Sequence, residues 1–117
     1  MKTIQALLVS SALMLAAAAP AMAQQRYVIE RDIPGASKMS PEQLRDAARQ
    51  SNAVLKDMGT DIQWVQSCVA GDKIYCVYNA TSEGLIREHA RKAGFPANRV
   101  TPVAAMFDPT TATAVVR

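Results

Sequence analysis

Apolar and polar residues recur with two different periods along this chain, and the switches between them mark out six elements. Arg26–Arg31 is a short β-favouring run built on Tyr27, Val28 and Ile29, and Ile33-Pro34-Gly35 turns the chain after it. From Ser40 the period changes to that of a helix. Leu44, Ala47, Ala48, Ser51, Leu55 and Met58 form one apolar stripe, with Arg45, Arg49, Gln50, Asn52, Lys56 and Asp57 on the solvent side. Ser40, Pro41 and Gln43 have the spacing of a capping box, and Gly59 stops the helix. Ile62–Val69 predicts a second strand, although its apolar and polar residues are mixed rather than alternating. Ala70-Gly71-Asp72 predicts a hairpin turn, and Lys73–Asn79 a third strand rich in β-branched and aromatic residues. A second helix begins near Ser82, with Leu85, Ile86, His89, Ala90 and Ala93 on one face; Gly94 and Pro96 end it. Val100–Phe107 predicts a last strand, with Pro102 marking an edge or a bulge. Asp108-Pro109-Thr110-Thr111 is a turn, and the tail from Ala112 is expected to fray or to add a short strand.

The order β-α-β-β-α-β predicts an α+β ferredoxin-like sandwich, with two helices on one face of a four-stranded antiparallel sheet. The other face is left uncovered. An apolar face of that kind in a small domain is expected to take a second copy, giving a homodimer, or a ligand.

The first 23 residues change the picture of the chain's destination. Lys2 supplies a positive start, Ile4–Ala19 an alanine-rich apolar core, and Ala21-Met22-Ala23 an A-x-A cleavage site. The uncharged run from Thr3 to Gln25 is also long enough to span a bilayer as an anchor, but the small-residue site favours cleavage. Residues 1–23 are therefore expected to be a signal peptide and residues 24–117 a single periplasmic or secreted domain. Loss of Lys2 lowers the formal charge from +3 to +2. The remaining basic residues are dispersed, so neither nucleic acid nor, after cleavage, a membrane is an expected partner.

An oxidising compartment also changes how Cys68 and Cys76 are read. With the hairpin centred near Asp72, the two oppose each other on adjacent strands and are expected to form a disulfide. A one-residue change of register would put them on opposite faces instead. Paired buried thiols or a thiolate metal pair are the alternatives. His89, the single histidine, lies on the apolar side of the second helix. It reads either as a buried, hydrogen-bonded imidazole or as a metal ligand. One imidazole makes no site alone; it needs carboxylates such as Glu30, Asp32, Glu83 or Glu88, a thiolate, or its own copy across a two-fold axis. There is no nucleophile elbow, metalloprotease helix or phosphate-cradling loop, so no catalytic residue is indicated. Arg87, Arg91, Lys92 and Arg99 read as a solvated face rather than an anion site. Asn79-Ala80-Thr81 matches a glycosylation sequon by chance, and Trp64, Tyr27, Tyr75 and Tyr78 read as filling the sheet faces.

Five blocks in order resemble the nickel-binding-protein-like family: residues 27–35 (YVIERDIPG), 61–65 (DIQWV), 73–78 (KIYCVY), 86–90 (IREHA) and 94–98 (GFPAN). The resemblance implies a ferredoxin-like fold that pairs through its sheet, and nickel or another divalent transition metal as ligand. It implies His89 as the metal ligand. Gln66 stands where members of the family often carry a histidine, and glutamine is a poor nickel ligand. The leading expectation is thus an exported, non-enzymatic dimer that binds a divalent metal. The alternatives are a small-molecule enzyme or binder using the cleft between two sheets, beside Tyr75, Tyr78 or Trp64, and a periplasmic interaction module.

Overall fold

The computed structural model describes residues 23–115, so the expected signal segment lies outside the described residues except for Ala23. Four strands, β1 (Gln25–Asp32), β2 (Ile62–Ala70), β3 (Lys73–Ala80) and β4 (Arg99–Pro102), form one antiparallel sheet in the order β2-β3-β1-β4. Helices α1 (Pro41–Met58) and α2 (Glu83–Ala93) connect them in the β-α-β-β-α-β order. This is the ferredoxin-like fold. Among the described residues, no helix is long and apolar enough to cross a membrane.

Local chemistry sets the helix ends where the sequence places them. The Ser40 hydroxyl accepts from the Gln43 amide (3.1 Å) while the Gln43 side chain accepts from the Ser40 amide (2.8 Å), closing the capping box of α1. Ser82 caps α2 through the Leu85 amide, and Gly94 ends it in a left-handed turn at φ 74°. That conformation is costly for any residue with a Cβ.

The core lies between the helices and the inward face of the two central strands. Tyr27 and Ile29 of β1 and Cys76, Tyr78 and Ala80 of β3 point there, joined by Ile62 of β2 and Ile86 of α2. Alternation along β1 continues this face to Arg31, which is only 2% exposed. α1 is bound less closely. Ser51 is its only fully buried residue among 18, although the apolar stripe runs the whole length of the helix.

Two features of the β2–β3 hairpin depart from expectation. Val65 is an extra residue between Trp64, which pairs with Tyr78, and Gln66, which pairs with Val77. This bulge explains why β2 lacks simple alternation: Ile62 and Trp64 share the inward face before it, and Ser67 and Val69 share that face after it. Val65 itself is 45% exposed. The turn is also shorter than a hairpin centred on Asp72 requires. Ala70 pairs with Lys73 across Gly71-Asp72, and Gly71 adopts φ 60°.

The tail differs as well. β4 ends at Pro102 rather than Phe107: the Val103 amide makes one last bond, to the Arg26 carbonyl (2.8 Å), and β1, which starts at Gln25, offers little beyond it to pair with. Beyond it the expected turn at Asp108–Thr111 forms as a 3-10 turn, Pro109–Thr113, capped by Asp108.

Candidate functional site

The shortened turn decides the fate of the cysteines. Cys76 pairs with Ser67 and Cys68 with Tyr75, one residue away from direct opposition. Cys76 therefore faces the core, 4% exposed, while Cys68 faces the open side of the sheet, and both are free thiols. The expected disulfide between Cys68 and Cys76 is absent for that reason. Alkylation of residues 24–117 without reductant is expected to label Cys68 in the native state and Cys76 only after unfolding. Protection of both thiols in the same chain would contradict this register.

Between α1 and the inward sheet face lies a cavity of about 480 Å³. Leu44 and Ala47 of α1 form its roof, Val69, Ile74 and Trp64 its sheet wall, and Ile33 and Met39 its rim. The space exists because the residues that α1 turns towards the sheet here, Ala47 and Ser51, are too small to fill the gap between helix and sheet. The rim is held in place by the hairpin. The Ile33 amide donates to the Asp72 carbonyl (2.9 Å), the Ser37 amide to Gly71 (3.1 Å), and the Gly35 amide to the Asp72 carboxylate (3.0 Å).

Polar groups gather at the inner end of the cavity, where Arg31, Cys76, Tyr78 and Ser51 all reach its wall. The Arg31 Nε donates to Cys76 Sγ (3.3 Å), its Nη1 donates to the Pro96 carbonyl (2.7 Å), and its guanidinium carbon lies 5.4 Å from the centroid of the Phe95 ring. Nη2 is buried with no hydrogen-bond partner among the described residues. Among the described residues, no carboxylate pairs with Arg31; Glu30 and Asp32, its neighbours on β1, face away and pair with Lys73.

His89 packs behind this cluster, 1% exposed. Its Nε2 lies 3.1 Å from Ser51 Oγ, which is in turn 3.3 Å from Tyr78 Oη. Burial pushes the His89 pKa below its usual 6.5; an interaction with the Ser51 backbone opposes that shift and the Arg31 charge adds to it. The ring is therefore neutral near pH 7. Burial likewise raises the Tyr78 pKa, so its hydroxyl keeps its proton. Ser51 and His89 are at the distance of a nucleophile and base. Yet no carboxylate hydrogen-bonds the imidazole among the described residues, and the hydroxyl is shared with Tyr78, so the arrangement reads as a buried hydrogen-bond chain.

The structure does not bring the expected metal donors together. Among the described residues there is no group of three His, Cys, Asp or Glu that could hold a metal ion. Cys76 sits against a guanidinium cation, which repels a metal cation at that sulfur. Glu83 and Glu88 pair along α2 with Arg87 (3.7 Å) and Lys92 (2.8 Å), away from His89. The Lys92 contact holds the Glu88 carboxyl below its usual range. These pairs match the expected solvated face, except that Arg99 lies on β4 near Glu30. Tyr75 and Tyr78 are also separated: Tyr78 lines the cavity, while Tyr75 and Val77 lie on the open face beside Cys68 and Gln66.

Arg31 is the site residue that sequence reasoning passed over. Its signal was present, since Tyr27, Ile29 and Arg31 follow one another at intervals of two and so share the inward face.

Comparison with known proteins follows the same blocks. The sequence model of a family described as nickel responsive protein SCO4226-like matches residues 27–103. The crystal structure of SCO4226 from Streptomyces coelicolor A3(2) superposes with a TM-score of 0.59 at 22% identity, covering 70% of this chain and 99% of that one. No curated protein matches the chain in sequence.

Proposed function

We infer the function from one premise: the chain belongs to the nickel-responsive SCO4226-like family. It acts as an exported, non-catalytic binding protein that takes up nickel or another divalent transition metal as a homodimer. Family membership is the observation that carries this reading. The charged start, apolar core and Ala21-Met22-Ala23 site of the first 23 residues support export.

The arrangement of donors supports a dimeric site. One chain offers no group of three donors among its described residues, whereas a two-fold axis doubles each donor it passes near. The open sheet face is the surface suited to that axis. Val28, Tyr75 and Val77 are half-buried there although they lie on the two central strands, and the exposed Cys68 lies beside them. His89 is buried on the helix side of the sheet with its Nε2 at Ser51, so it can serve only if the packing around it opens.

Nickel titration by calorimetry, with mass measured by light scattering, tests the reading in the mature protein and in His89→Ala. Saturable uptake by a species of twice the chain mass is expected. Absence of saturable uptake would refute it, and equal uptake by both proteins would remove His89 from the site.

A further inference from the structure

The cavity under α1 combines two features that are each unfavourable in an empty core. Its wall is mostly hydrocarbon, from Met39, Leu44, Trp64, Val69 and Ile74, so water inside it finds few partners. Its inner end holds a buried cation whose Nη2 has no acceptor among the described residues. An uncompensated buried charge is strongly unfavourable, and a buried donor without an acceptor adds its own desolvation cost. A molecule with a single anionic end and an apolar body relieves both at once.

We propose that this pocket binds a small amphiphilic monocarboxylate, an aliphatic or aromatic acid, with its carboxylate at Arg31 Nη2 and its apolar body between α1 and the sheet. The guanidinium is already oriented for the task. Cys76 Sγ and the Pro96 carbonyl hold Nε and Nη1, and the Phe95 ring packs against the planar group; Nη2 has no acceptor among the described residues but is covered, with Tyr78 beside the guanidinium, so a carboxylate reaches it by moving the Tyr78 hydroxyl aside. The Tyr78 hydroxyl reaches the same end of the cavity, and its proton is available for the second carboxylate oxygen when His89 Nε2–H donates to Ser51 and Ser51 donates to Tyr78. The volume, about 480 Å³, is that of a small-molecule site. A multiply charged anion suits it poorly, because one unpartnered nitrogen in an apolar wall cannot replace the hydration of several charges. A metal cation is repelled by the same guanidinium. The site is thus separate from the metal-binding reading above and stands without it.

Trp64, the single tryptophan, lines the cavity and reports its occupancy by fluorescence. The mature protein is titrated with octanoate and, in parallel, with 1-octanol and octylamine. Octanoate is expected to give a saturable change, with the alcohol and the amine at least about tenfold weaker, the size of a charge-assisted bond to a carboxylate. Ala47→Phe places a ring in the cavity and is expected to weaken octanoate at least about tenfold while circular dichroism stays native. Arg31→Met is expected to erase the preference for the acid over the alcohol. Should Arg31→Met fail to fold, the parent titrations and Ala47→Phe decide the matter. Equal affinity for octanol, unchanged binding in Ala47→Phe, or no saturable response to octanoate would each overturn the proposal.

Discussion

Ile29→Ala is expected to destabilise the protein by about 2–5 kcal/mol, lowering the thermal midpoint by more than about 10 °C. Ile29 is completely buried at the centre of β1, between its hydrogen-bonded neighbours β3 and β4. Its cross-strand partner on β3 is Cys76 and on β4 is Val100, and the surrounding cluster includes Tyr27, Tyr78 and Ile86. Truncation removes the transfer free energy of the lost methylenes and leaves a void that a four-stranded sheet cannot close without breaking ladder bonds on both sides. Chemical denaturation of parent and variant measures the difference. A loss below about 1 kcal/mol would mean that the neighbouring cavity lets the core collapse around the gap, and that the sheet is less constrained than its pairing implies.

Ser51→Ala is expected to cost about 1–3 kcal/mol, because it leaves His89 Nε2 and Tyr78 Oη facing a methyl group in a buried site. The same chain predicts how stability depends on pH. The His89 pKa is lowered in the folded state, so between that value and the unfolded value of about 6.5 the unfolded chain binds more protons than the native one. The contribution of the neutral ring is therefore complete above about pH 6.5. It is lost progressively as the pH falls from there through the folded pKa, below which both states are charged and no further loss occurs. Unfolding midpoints measured from pH 8 to pH 4 are expected to show this decline in the parent and not in His89→Gln. A decline of equal size in both proteins would place its origin in the carboxylates instead.

The two substitutions probe parts of the molecule that differ in how openly the sequence announces them. Ile29 and Ile86 stand on faces that period alone identifies, and both are core residues. Ser51 stands on the apolar stripe of α1, where a hydroxyl needs a partner, but no local pattern names His89 as that partner. The two residues are 38 positions apart and meet only because α1 and α2 pack side by side on the sheet. The same packing brings the Gln50 side chain to the carbonyl of Ala93. The cavity was similarly half-legible. Ala47 and Ser51 signal a thin part of the helix face, and the interval from Tyr27 to Arg31 signals an inward charge. That the two coincide depends on how α1 lies across β2 and β3.

The cysteines show the limit most clearly. A hairpin with one more residue in its turn would have set Cys68 against Cys76, and the short Gly71-Asp72 turn sets each against a different neighbour. Both registers satisfy the same strand propensities. The choice between them rests on the Val65 bulge, the left-handed Gly71 and the bonds from Ile33, Gly35 and Ser37 that tie the turn to the segment after β1.

The sequence by itself determined the six elements, their order, the helix caps and the inward face of β1, because each depends on residues only a few positions apart. Tertiary structure alone decided the register of β2 on β3, the neutral burial of His89, the separation of the two thiols and the cavity that ends at Arg31. Each of those depends on groups far apart in the chain, where a shift of one residue or a few ångströms exchanges a buried partner for solvent.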